Sequence, residues 1–166
     1  MPRIFSLIAL CLLFVFGEAF AQEELWDEAE EEARFETCYS NNAGADVVSK
    51  CQYIQTCVNG SRDNSTSRGM TECALQGYKL WDAKLNLEYQ ALQKVTSRVY
   101  GADAGIALRE AQIAWISFRD KECYAIQERS NVVLGAVHKG CMARITAERT
   151  AQLGEESSRL NLRWPE

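Results

Sequence analysis

The chain has 166 residues and a formal net charge of −5, with 25% charged and 47% hydrophobic residues, which suits one domain with a modest core. The acidic balance and the lack of a basic stripe disfavour nucleic acid as a partner. His138 is the single histidine and no CxxC pair occurs, so neither a metal nor another cofactor is expected.

Residues 1–21 read as a signal peptide: Arg3 supplies a positive start, Ile4 to Phe16 an apolar run, and Ala19-Phe20-Ala21 a small-x-small cleavage site. The apolar core is too short to span a membrane, and no later stretch reaches the roughly 18 apolar residues required. A periplasmic or secreted protein without a transmembrane anchor is expected, cleaved near Ala21. A lipid-attached Cys11 is the alternative, and the bulky Leu10 before it speaks against that. Removing residues 1–21 leaves 145 of the 166 and six cysteines: Cys38, Cys51, Cys57, Cys73, Cys123 and Cys141. An even number in an exported chain reads as three disulfides, because that compartment is oxidising. Many pairings are open to six cysteines, and the sequence alone does not choose. Pairs that close short loops between neighbouring elements are expected, namely Cys38–Cys51, Cys57–Cys73 and Cys123–Cys141, each contributing roughly 3 kcal/mol.

Residues 22–69 form an acidic, cysteine-rich extension. Gln22 to Glu36 carries eight carboxylates against Arg34 alone, a net −7 that leaves +2 for everything after residue 36. Leu25, Trp26, Ala29 and Ala33 recur at helical spacing, which predicts a short helix with a thin apolar stripe. One reading is a solvated helix that aids solubility. The other is a patch that draws a cationic partner, with Glu28 and Glu31 supplying charge and Trp26 an interface anchor. Val47 to Val58 can form a short helix pinned by its cysteines, and Asn59 to Gly69 is a loop by composition. Asn59-Gly60-Ser61 and Asn64-Ser65-Thr66 fit the N-glycosylation acceptor pattern, which carries meaning only in a eukaryote.

Residues 70–160 read as a helical domain. Met70, Cys73, Ala74, Gly77, Trp81, Leu85, Leu92, Val95 and Val99 share one face of a helix, with Ser67 and Thr71 as starting caps. Tyr100 to Gly105 breaks the pattern. A second helix runs from Leu108 to about Ser130, with Leu108, Ala111, Trp115, Ile116, Phe118, Cys123 and Ile126 on its apolar face and Ile113, Asp120 and Tyr124 turned away. Gln112, Arg119 and Glu122 interrupt that face, and a buried charge there needs a partner. Asn131 to Gly140 is an apolar connection carrying Val133, Leu134 and His138, which either folds onto the bundle or offers a tip to a partner. A third helix begins near Cys141 and stops before Pro165, with Cys141, Ile145, Thr146, Arg149, Leu153 and Leu160 near one face. No strand-like alternation is long enough for a sheet. The expected fold is all-α: an antiparallel bundle of three long helices with a disulfide-tied helical N-terminal extension.

The ordered set Met70-x-x-Cys73-Ala74, Trp81-Asp82-x-x-Leu85-Asn86-x-x-Tyr89, Leu108-x-x-Ala111-Gln112-x-x-Trp115-x-x-x-Arg119-Asp120-x-x-Cys123, Cys141 and Thr146-x-x-Arg149-x-x-x-Leu153 resembles the LprI-type lysozyme inhibitor family, also called DUF1311. The resemblance runs from about Met70 to Leu153. It implies a small helical, exported bacterial domain and, by the family's name, inhibition of lysozyme. Two features depart from the pattern: the glycine pair often found before the last cysteine is absent, and the acidic extension lies outside the match.

Asp82, Gln112, Arg119, Glu122 and Arg149 are expected to form a structural polar network in which carboxylates and carbonyls hold the two arginines and fix helix register. Trp81 and Trp115 sit at core spacing. Paired cysteines remove a thiol nucleophile, and no nucleophile elbow or phosphate loop occurs, so an enzyme is not expected. The leading expectation is an inhibitor that occludes lysozyme or another envelope-acting enzyme or toxin. The alternative is an envelope immunity or accessory scaffold protein with a different partner and no lysozyme inhibition.

Overall fold

The computed structural model describes residues 27–130 and 134–165. The expected signal peptide, Trp26 and Val133 lie outside the described residues. Among these there are six helices and no strand: α1 (Glu28–Asn41), α2 (Ala45–Lys50), α3 (Tyr53–Gly60), α4 (Ser67–Tyr100), α5 (Ala102–Arg129) and α6 (Leu134–Arg163). The three long helices make the bundle, and the three short ones form the N-terminal extension against it.

Local chemistry sets the helix ends. The Asp27 carboxylate accepts from the backbone N–H of Ala29 at 2.9 Å, and Glu28, Glu30 and Glu31 in the first turn complement the positive end of the α1 dipole. α4 begins at Ser67, three residues earlier than the sequence pattern predicts, because Thr66 caps it by accepting from Gly69 N–H at 3.1 Å. The break between α4 and α5 shrinks to Gly101, whose φ of 90° few side chains tolerate. α5 therefore starts at Ala102, well before Leu108.

α6 also starts early. The segment expected as a connection up to Gly140 is helical from Leu134, so His138 lies on α6, half-buried. The expected helix between Val47 and Val58 is two helices, α2 and α3, separated at Cys51 and Gln52.

The disulfides are Cys38–Cys51, Cys57–Cys73 and Cys123–Cys141, with sequence separations of 13, 16 and 18 residues. The first ties α1 to the end of α2, the second ties α3 to α4, and the third ties α5 to α6. α6 packs most extensively on α4, while α5 packs less closely on both. One core cluster holds Phe35, Val47, Tyr53, Trp81, Ala143 and Ala147, and so joins the extension to the bundle. Phe35 meets Trp81 edge-on at 5.0 Å between ring centroids. Leu85, Leu92, Val95, Leu153 and Leu160 fill the other end of the bundle, and Cys123, Cys141, Met142 and Ile145 fill the space behind the third bridge.

Two faces differ from the sequence expectation. On α1 the buried side chain is Phe35, whereas Ala29 and Ala33 are exposed. On α5 the buried residues are Gly105, Gln112, Arg119 and Cys123. Phe118 is 56% exposed and Ala111 and Ile116 are also exposed, so the helix is rotated from the face its apolar residues predict.

Candidate functional site

The rotation of α5 turns a polar seam into the bundle. Arg119, 5% exposed, donates from Nη1 to Asp82 Oδ1 at 3.4 Å and to Thr146 Oγ1 at 3.3 Å. Its Nε and Nη2 each lie 3.0 Å from Asp120 Oδ1. Its guanidinium lies over the rings of Tyr78 and Trp115, at 5.4 and 5.3 Å. Arg149 approaches the same Trp115 ring at 5.9 Å and donates from Nε to Gln112 Oε1 at 3.2 Å. Burial lowers the Arg149 pKa from its ordinary value. Two guanidinium groups, carried by α5 and α6, thus approach the one indole.

The carboxylates on Arg119 are Asp82 and Asp120. Glu122 lies half-buried one turn further along α5. Asp120, which the helical wheel turns away from the core, folds back onto its neighbour. Thr146 was missed as a member of this set; it is fully buried, and a hydroxyl at such a position needs a donor or acceptor nearby. Asp82, Arg119, Asp120 and Thr146 are thus joined to one another and Gln112 to Arg149, whereas among the described residues no hydrogen bond or ion pair brings Glu122 into the set expected from the sequence.

The outer face of α1 has a different character. Glu28 is exposed, while Glu31 is half-buried and paired with Arg34 at 3.0 Å. Tyr53 lies beneath them. Its phenol is pushed up to about 12, first by burial and then by the charges of Glu28, Glu32, Glu31 and Glu72. Four carboxylates from α1 and α4 therefore act together on one point.

Further along α1 the extension and bundle enclose a groove of about 670 Å³, lined in part by Tyr39, Val47, Glu88, Ala151, Gly154 and Leu162. The Tyr39 hydroxyl donates to Glu88 Oε1 at 2.7 Å. Burial, followed by that bond and the Glu88 and Glu36 charges, raises the Tyr39 pKa. Beside it, Lys84, 9% exposed, pairs with Glu36 and lies 4.9 Å from the centre of the Tyr39 ring.

Leu134 opens α6. On the next turn His138 has its pKa lowered by burial and by Lys139, with Asp120 opposing. Glu28 and Glu31 share one face of α1 with the Tyr53 environment, and His138 belongs to a different part of the bundle, near Asp120. The Asn64 amide nitrogen donates to the Cys57 carbonyl at 2.9 Å and is held inside the loop, unlike the exposed Asn59.

A family model described as "Lysozyme inhibitor LprI" matches residues 57–153. The chain belongs to the LprI lysozyme inhibitor family. An uncharacterized protein, R02472 of Rhizobium meliloti (strain 1021), is 37% identical over 94 residues, covering 50% of this chain and 68% of that one. No solved structure matches. The LprI match starts at Cys57, earlier than the Met70 resemblance, and so takes in the Cys57–Cys73 bridge. It covers the whole polar seam and Glu88, whereas α1 and α2 lie before it. Among the described residues of this LprI chain, no helix is long and apolar enough to cross a membrane.

Proposed function

We propose that the chain is an exported binder that occludes a cell-wall-cleaving enzyme, with a cationic lysozyme as its first partner. The observation that carries this reading is the concentration of Glu28, Glu31, Glu32 and Glu72 around Tyr53. Such a field steers a basic protein towards the face that bears it. Family membership supports the inhibitor role. Three disulfides fit an oxidising location, periplasmic or secreted. With Cys38, Cys51, Cys57, Cys73, Cys123 and Cys141 all bridged, no thiolate among them is available for covalent catalysis, which favours action by binding.

The test is a cell-wall lysis assay with the oxidised protein from Gln22 onward, paired with calorimetry. Stoichiometric inhibition is expected, and removing residues 22–36 should weaken it. Unimpeded lysis with no heat of binding would overturn the proposal. A second reading, an accessory or immunity protein with another envelope partner, is favoured by one observation: Ile106, Ile113 and Tyr124 stand 56%, 56% and 58% exposed along one side of α5. It predicts a stable envelope complex or self-association, with lysozyme unaffected.

A further inference from the structure

The groove between α1, α2, α4 and α6 has a negative charge at its floor and apolar walls, and the charges around it are unequally matched. Glu88 is half-buried on α4. Its Oε1 is taken by the Tyr39 hydroxyl at 2.7 Å. Its Oε2 faces Gly154 on α6, so closely that a Cβ at residue 154 would lie 3.1 Å from it. No described cation pairs with Glu88. Lys84, one turn before it on the same helix, is committed to Glu36. Glu155 adds a second carboxylate to the lining and two arginines stand on the rim: Arg159 pairs with Glu156, and Arg163 lies over the Trp164 ring at 4.6 Å with its charge intact. The walls between carboxylate and rim include Val47, Ala43, Ala151 and Leu162.

We infer that this groove receives a lysine side chain of the partner protein, its ammonium on Glu88 Oε2 and its aliphatic stem along the apolar walls. This rests on the reading of the chain as a binder of a cationic enzyme. The choice of lysine over arginine follows from the carboxylate geometry. A guanidinium is held best when it forks onto both oxygens of a carboxylate, and here the Tyr39 hydroxyl competes for one of them. An ammonium is a compact charge that needs a single acceptor oxygen, and its four-carbon stem favours apolar surface. A side chain at Gly154 would crowd Oε2, since its Cβ would lie 3.1 Å away.

The experiment compares calorimetric binding of two lysozyme preparations, one native and one with its lysines guanidinated, which keeps the charge but changes the head group. Wild-type protein and the Glu88→Gln variant are each measured against both. Guanidination and Glu88→Gln should each weaken binding about thirtyfold, and the two together no more than either alone. Guanidination leaves this chain untouched, so a folding defect in the variant cannot mimic the result. Equal affinity for the two preparations by the wild-type protein would overturn the inference while leaving the inhibitor reading intact. If native lysozyme does not bind at all, the inhibitor reading fails, and the groove is decided by nuclear magnetic resonance with N-acetyl-lysine methylamide. Saturable shifts at the Gly154 and Ala151 amides, absent with the norleucine analogue and in Glu88→Gln, would sustain the lysine site; their absence would overturn it.

Discussion

Arg119 shows how the bundle tolerates a charge in its interior. The guanidinium gives hydrogen bonds to two carboxylates and a threonine and lies over two aromatic rings, so its desolvation is offset by several partners. Replacing it with alanine removes all of these at once and leaves a void beside Trp115. Arg119→Ala should cost about 3 kcal/mol in urea unfolding. Asp120→Asn should cost under about 1 kcal/mol, because the Asp120 side chain is 54% exposed and keeps its hydration. Comparable losses for the two would argue against a structural role for the seam. Tyr53 gives a second residue-level outcome. Its phenol is neutral when protonated, and the fold raises its pKa from 10.0 to about 12. The fold therefore holds this proton more tightly than the unfolded chain does. That contribution is fully present below about pH 10 and is lost as pH rises through about 12. Denaturation midpoints should fall across that window. Glu28→Gln with Glu32→Gln should bring the phenol down towards, but not to, its ordinary value in an ultraviolet titration, since burial is the larger cause.

At the scale of elements, periodicity was enough to read the class and the three long helices, because these follow from local repeat; the pairing of the six cysteines was left open by the sequence, and the expected short-loop pairs agree with the bridges observed. The face of α5 was not legible. Hydrophobicity sets the phase of a helix only when its polar residues prefer water, and here Gln112 and Arg119 find better partners inside. The consequence can be measured. Ile113→Ser and Phe118→Ser should change stability by less than about 0.5 kcal/mol, whereas Leu92→Ala in the core should cost about 3 kcal/mol. The early start of α6 was hidden by Gly135 and Gly140, which read as loop signals but are helical here. Gly101 tells the opposite story: it is the one residue between two long helices, and its positive φ makes the reversal. Gly101→Ala should cost about 1–2 kcal/mol, measured by thermal unfolding. The burial of Phe35 was missed because a single aromatic residue in an acidic stretch carries no periodic signal. The groove at Glu88 was equally illegible, since it is built from four helices that meet only after folding.

The whole molecule is electrically lopsided, with −7 in residues 22–36 and +2 in the remainder beyond residue 36. Long-range steering by such a field is screened over about 10 Å at ordinary salt and far more strongly at higher salt. Raising ionic strength to about 0.5 M should slow lysozyme association about tenfold while changing dissociation little, as read by stopped-flow fluorescence. An association rate indifferent to salt would remove the acidic face from the encounter. The proposed lysine contact at Glu88, half-buried and short in range, would act mainly on dissociation and would be untouched by that outcome.

The disulfide topology has a consequence for how the molecule is made. The bridges join the cysteines of residues 38–141 strictly in order, first to second, third to fourth and fifth to sixth. On the proposed exported route, the chain presents its thiols in the same order as it leaves a translocation pore. With Cys11 held back in the proposed signal peptide, an oxidase that links each new cysteine to the one before it would reach the native set without forming a wrong pair. The yield of native protein in cells should therefore be unchanged when a disulfide isomerase is deleted and should fall when the thiol oxidase is deleted.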